Sequence, residues 1–303
     1  MSTPLPEPLA AHAFLHCNLN TVDLDRSLER YTSLVEPGAR LIRSSSTDDD
    51  GTAMGLGLST ASETVFVYDA RGPRSAPALE LVGWSRPGTA PAVILPEEAC
   101  GYGAVGFRVP SLEEARRSGG EITKVRVRGR LVPALVSRDP DGVPLELVEI
   151  PPAGTDPAEP ALFSHLRLTC RDLSVSVEWY ARIGFSEAGA PETDAEGHRR
   201  TSLVLPEDPT FSLELMEVPD AAVPVREANH QGVHRIALAV DDVRDSHAAL
   251  LERLPGTPAP VFIPMPDMAT GGFTVLFLSD PDGAVVELVE RPRTSVRRPR
   301  QPV

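Results

Sequence analysis

The sequence predicts an α+β fold in which one strand-helix-strand-strand-strand module (βαβββ) is used twice in each half of the chain. Three observations carry this prediction. HCNLNTVDLDRSLERY from His16 matches HLRLTCRDLSVSVEWY from His165, with Asp23 and Asp172, Ser27 and Ser176, and Tyr31 and Tyr180 at equal offsets. SRDPDGVPLELVE (137–149) matches LSDPDGAVVELVE (278–290). PALEL (77–81) and FSLEL (211–215) stand between them in the same order, which makes an internal duplication the economical reading. The first domain is therefore placed at 12–150 and the second at 162–291. The proline-rich stretch PPAGTDPAEPA (151–161) reads as a linker, and the basic segment 292–303 reads as a disordered tail.

Each element has a local reason. His16 to Asn20 alternates as a strand, and Asp23 or Asp25 can cap a helix carrying Leu24, Leu28 and Tyr31 on one face. Strands are expected near 53–58, 64–69 and 78–83. The pattern then restarts with strand Ala104–Val109, helix Leu112–Ser118, and strands near 123–128, 132–137 and 144–149. The second domain repeats this with strands 164–170, 200–205, 210–217, 233–240, 260–264, 273–279 and 284–289, and helices near 173–182 and 242–253. DPDG supplies the tight turn before the last strand of each domain.

Composition narrows the classes of function. The 303 residues are 41% hydrophobic and 24% charged, as in a globular protein of two ordinary domains. A net charge of −14 repels nucleic acid and anionic lipid, so neither is expected as a partner. No apolar run approaches the ~20 residues of a membrane-spanning helix. The opening MSTPLPEPLAAHAF, without a basic start or an apolar stretch, leads to the expectation of no export signal, and with three scattered cysteines a reducing cytoplasm is the expected location. A monomer or homodimer acting on a small molecule is the expectation.

The chemistry is expected on the polar faces of the opening strands. His16, Asn18 and Asn20 share one face of the first strand, opposite Leu15, Cys17 and Leu19. His165, Arg167 and Thr169 share one face of the corresponding strand in the second domain, which makes Arg167 and Thr169 candidates for binding substrate. His165, Glu214, His234 and Glu287 recur at strand positions of the second domain. Two imidazoles and two carboxylates suit one divalent ion, Zn, Ni, Co, Mn or Fe. The first domain offers His16, Glu80 and Glu146, but Gly103 stands where His234 would be, so its metal site is expected to be degenerate.

The His opening motif, GVHRIALAVDDV and DPDGAVVELVE together resemble the vicinal oxygen chelate superfamily, which includes glyoxalase I, methylmalonyl-CoA epimerase, extradiol dioxygenases, 2-epi-5-epi-valiolone epimerase and bleomycin-type resistance proteins. The resemblance covers nearly all of the chain except the linker and tail. It implies two vicinal oxygen chelate domains, with ligands on the first and a late strand of each module; the matching positions are His165, Glu214, His234 and Glu287. If the first module pairs with the fourth, His16 and Glu80 would instead join His234 and Glu287. The long linker favours pairing within each domain. VYDARGP (67–73), ALELVGW (78–84) and LVLPEDPTFSLELMEV (203–218) look most like 2-epi-5-epi-valiolone epimerases. The implied activity is a metal-dependent isomerase or epimerase on a small oxygenated, sugar- or cyclitol-like metabolite. In it the metal stabilises an enediolate and Glu214 or Glu287 carries the proton. The alternatives are an Fe(II) ring-cleaving dioxygenase using His165, His234 and Glu287, and a non-catalytic antibiotic-binding protein.

Overall fold

A computed structural model describes residues 11–92, 99–115, 120–149, 160–225 and 227–298. The first module comprises β1 (Ala13–Asn20), α1 (Leu24–Val35), β2 (Arg40–Asp49), β3 (Thr60–Tyr68) and β4 (Ala78–Arg86). The second comprises β5 (Gly101–Val109), α2 (Leu112–Ala115), β6 (Glu121–Val127), β7 (Arg130–Arg138) and β8 (Pro144–Glu149). The third has β9 (Leu162–Cys170), α3 (Leu173–Ala181), the short β10 (Ser186–Glu187) and β11 (Glu192–Thr193), then β12 (Arg199–Leu205) and β13 (Asp208–Glu217). The fourth has β14 (Gly232–Val240), α4 (Val243–Leu251), β15 (Val261–Pro264), β16 (Gly272–Ser279) and β17 (Val285–Glu290). Four βαβββ modules are therefore present, as the sequence predicts. The first helix is capped by Asp23, whose carboxylate accepts from the Arg26 amide.

Two expectations about local structure change. No strand forms at 53–58; Thr52–Met54 make one turn of 3₁₀ helix, and the strand lies earlier, at Arg40–Asp49. That strand, RLIRSSSTDD, is an edge strand paired only to β3, so its hydrogen bonds to one neighbour hold it without an apolar alternation. The tail also differs. Arg298 is buried against Asp208 at 2.8 Å and donates to the Phe14 carbonyl, while Arg293 pairs with Glu207 and Asp241. Residues 292–298 thus dock on the body because a buried carboxylate needs a cation. Residues 299–303 and almost all of the predicted linker lie outside the described residues.

Pairing between modules is the main correction. One sheet runs β15-β16-β17-β14-β1-β4-β3-β2, joining the fourth module to the first. The other runs β10-β12-β13-β9-β5-β8-β7-β6, joining the third to the second. Antiparallel ladders β1–β14 and β5–β9 make the two joins. The folded halves therefore do not coincide with the sequence repeats 12–150 and 162–291. Each repeat stays linked through its helix: Tyr31 donates to Asp139 at 2.8 Å and Tyr180 to Asp280 at 3.2 Å. Those aspartates also accept from the backbone of their own DPDG turns. A continuous apolar core containing Phe14, Cys17 and Leu19 from one sheet and Phe107, Leu166 and Phe211 from the other lies between their backs. The opposite face of each sheet curls into a cup.

Candidate functional site

The first cup takes one polar side chain from each of four adjacent strands: Glu287 from β17, Arg235 from β14, His16 from β1 and Glu80 from β4. All four are on the cavity wall. Arg235 Nε donates to Glu287 Oε2 at 2.8 Å, and its Nη2 donates to Glu80 Oε2 at 2.9 Å. His16 Nε2 lies 3.4 Å from Glu80 Oε2 and 3.7 Å from Glu287 Oε2 without hydrogen-bonding geometry to either. Burial alone would raise the Glu287 carboxyl, but Arg235 and then His16 outweigh it and hold the group at about 2. Burial lowers Arg235, and the two carboxylates more than restore it.

A cavity of about 660 Å³ opens above this floor, within the range of small-molecule sites. Its walls are largely apolar, with Phe66, Trp84, Met265, Met268 and Phe273 among them. The Phe66 ring stands edge-on to the His16 imidazole, centroids 5.3 Å apart. Asn18 lies in the ladder between Glu80 and Arg235. It is fully buried, and neither end of its amide has a hydrogen-bond partner.

The second cup holds the same residue types but is filled. His165 Nε2 meets Glu146 Oε2 at 3.0 Å, and Arg167 grips the same carboxylate at 2.9 and 2.8 Å. Burial would raise Glu146, but Arg167 and His165 hold it well below the usual carboxylate range. Glu214 accepts from Ser202, Ser212 and the Arg128 amide. Arg128 and Gly129 form the tip of the β6–β7 hairpin with φ of 50° and 69°, as a type I′ turn requires. The tip reaches into the cup, and only about 20 Å³ remains beside Arg167 and Glu214.

The sequence-predicted ligands are therefore divided between the sheets. His165 and Glu214, with Arg167, belong to the second cup; Thr169 is buried further along β9. Glu287 belongs to the first. His234 is half-buried in a bulge of β14, where the ladder steps from Asn18–Arg235 to Leu19–Val233, and it is not on the cavity wall. The four do not converge. The residues missed as a group are His16, Glu80 and Arg235, although His16 and Glu80 appear in the alternative pairing. A signal for Arg235 exists in the sequence. His16 and His165 stand 7 residues before their capping aspartates, Asp23 and Asp172; the cap of α4 is Asp242, and 7 residues before it is Arg235. The preceding Asp241 invites the one-residue error that selects His234.

The divalent ion implied by the resemblance can be tested against this floor. Ligands about 2.1 Å from one ion stand about 3.0–3.4 Å apart. The spacings from His16 Nε2 to the two carboxylates come close to that. Yet the fourth corner is a guanidinium holding the very oxygens an ion would use. Among the described residues, no group of three or more His, Cys, Asp or Glu has metal-holding geometry. The residues present do not fit a resident divalent metal.

Comparison with known proteins agrees with the fold. Residues 162–288 match the model of the family described as Glyoxalase/Bleomycin resistance protein/Dioxygenase superfamily. Glyoxalase I from Zea mays shares the architecture over 91% of this chain and 92% of its own, at 22% identity and a TM-score of 0.62. A provisionally named dioxygenase from Bacillus subtilis subsp. subtilis str. 168 does so over 96% and 92%, at 15% identity and a TM-score of 0.62. Identities this low speak for the fold alone. No curated protein matches the chain, and the likeness to valiolone-type epimerases has no support from these comparisons. Among the described residues no helix is long and apolar enough to cross a membrane. Residues 162–288 thus match the glyoxalase/bleomycin resistance protein/dioxygenase superfamily model, and the chain, with its four βαβββ modules, shares the fold of glyoxalase I.

Proposed function

We propose that this protein captures an amphiphilic small molecule in the first cup, and that it does so without a metal ion. The observation that carries this reading is the cavity of about 660 Å³, walled by aromatic and methionine side chains and floored by a charge cluster already balanced by Arg235. Methionine and aromatic walls adapt to varied apolar ligands. The floor offers carboxylate oxygens and an unbonded imidazole nitrogen to a polar head group. A metal-stabilised enediolate or a ring-cleaving iron centre would need a cation where the guanidinium stands. Of the three functions the sequence suggested, capture is the one that requires none.

One observation favours a second reading, a metal-free isomerase. The His16 imidazole has an unpartnered, buried Nε2 at the cavity floor, which is where a general base would be placed. Glu287, held at about 2, is too weak a base at neutral pH for the role first expected of it. Glu214 lies in the other cup.

The test uses Trp84, which lines the cavity. Titration with the neutral fluorescent probe N-phenyl-1-naphthylamine should quench Trp84 saturably, with one probe per chain. Ser62→Trp, which fills the cavity from its wall, should abolish this. Binding that persists in the filled variant would remove the cup from consideration. Probe-competing hydroxyketones converted to their isomers by wild type but not by His16→Gln would favour the isomerase.

A further inference from the structure

We infer that Arg235 is a protein-borne cation in the position a divalent ion would otherwise take, so that its guanidinium keeps divalent metals out of the first cup and one substitution would admit them. This goes beyond ligand capture, because a cup could bind an amphiphile with or without a metal on its floor.

Three independent observations converge on it. Arg235 and His16 address the same two oxygens, Glu80 Oε2 and Glu287 Oε2. Those oxygens together with His16 Nε2 form an incomplete coordination set, and the guanidinium completes it as a cation instead of as a donor. Second, the register counted back from the helix caps puts Arg235 at the strand position that His16 and His165 occupy in their own modules. A histidine there would supply the missing donor. Third, the second cup makes the same replacement by another route. Its β5 has small residues, Gly103, Ala104 and Gly106, on that stretch, and Arg167 from β9 provides the cation to Glu146. Each cup sets a histidine and two glutamates beside a buried strand arginine, Arg235 from β14 in one and Arg167 from β9 in the other, with Arg128 of the hairpin tip added in the second; the recurrence points to a requirement for fixed positive charge and not to an accident of one side chain.

The electrostatics decide against sharing. A divalent ion bound to these oxygens would lie a few ångströms from the guanidinium. Even at the effective dielectric of a protein surface, that repulsion corresponds to more than about a thousand-fold in affinity. Side-chain exposures of 10% or less for Arg235, Glu80 and Glu287 leave little solvent to screen it.

The experiment titrates the full chain with Co²⁺, read by its visible ligand-field bands, and with Ni²⁺ by calorimetry. Arg235→His should bind one Co²⁺ per chain at least about a thousand-fold more tightly than wild type. Adding Glu287→Gln to that variant should abolish the gain. Wild type that binds Co²⁺ as tightly as Arg235→His, with the binding lost in Glu287→Gln, would overturn the inference. So would a folded Arg235→His that binds none. If Arg235→His does not fold, Arg235→Gln removes the charge while keeping hydrogen-bond donors, and it should still gain at least about a hundred-fold; no gain overturns the inference. Binding of N-phenyl-1-naphthylamine is measured separately, so loss of the capture reading and loss of this one are told apart.

Discussion

Gly106 and His165 lie opposite each other across the β5–β9 ladder, and a Cβ on Gly106 would stand 2.0 Å from the imidazole Cε1. The ring lies flat over the glycine and reaches Glu146, which is the residue paired to Gly106 on its other side. In the first cup the equivalent partner of His16 is Ala237, itself paired to Glu287. There the imidazole stays 3.7 Å from the carboxylate without a hydrogen bond. Ala237 carries a methyl where Gly106 has none, and His16 stands off its carboxylate where His165 is bonded to its own.

Gly106→Ala should therefore cost stability well beyond a helix or strand propensity term. The new methyl has to displace a buried ring from its carboxylate, an overpacking of about 1–3 kcal/mol with a lost charge-assisted hydrogen bond added. Urea denaturation should show a lower midpoint with an unchanged slope. Ala237→Gly, the reverse change in the first cup, should cost no more than about 1 kcal/mol.

The pH profile of stability should contain two opposed contributions. Glu287 is held at about 2 in the fold, against an ordinary value of 4.5. Its contribution is complete above the unfolded value and is lost as pH falls toward 2. Asp280 is pushed up to about 6 by burial, against 3.8, despite the amides of Ala284 and Asp282 that it accepts from. Its contribution is present below 3.8 and is lost as pH rises through 6. Asp280→Asn keeps an acceptor for both amides and cannot ionise. Relative to wild type it should gain stability between pH 4 and 6, by at most on the order of 2–3 kcal/mol. Urea midpoints across pH 3–8 check this; a parallel pair of profiles would refute it.

The tail should behave as part of the fold. Arg298→Ala would strand the Asp208 carboxylate, which is fully buried and also accepts from the Phe14 amide. Breaking such a pair costs about 3–5 kcal/mol. Thermal unfolding should shift down, and proteolysis should remove the C-terminal segment from the variant under conditions that leave wild type whole.

Two asparagines on the same strand face should respond in opposite ways. Asn20 donates to the Ala228 and His230 carbonyls and accepts from Trp84 Nε1. Asn20→Leu leaves those groups unpaired and should destabilise by about 2–3 kcal/mol. Asn18 has no protein partner at either end of its amide. Asn18→Leu should therefore be neutral or stabilising by about 1 kcal/mol. A large loss at Asn18, measured by calorimetry, would mean that its amide holds an ordered water or ligand group.

Much of this architecture is legible in the chain itself. The duplicated opening motif fixes the βαβββ modules, and the paired tyrosines and DPDG turns each find their partner within one repeat. Helix caps, turns and apolar faces are local matters, settled by residues a few positions apart. Which module edges join is different. The two joins pair residues far apart in sequence, Ala13 with Ala239 and Gly101 with Thr169, so no local signal fixes them. That choice, here β1 with β14 and β5 with β9, moves Glu287 away from Glu214 and brings it to His16, Glu80 and Arg235. The sequence by itself determined the modules and the kinds of side chain on their polar faces. The tertiary structure alone decided which of them share a floor, because ionic contacts act over a few ångströms of space and take no account of separation along the chain.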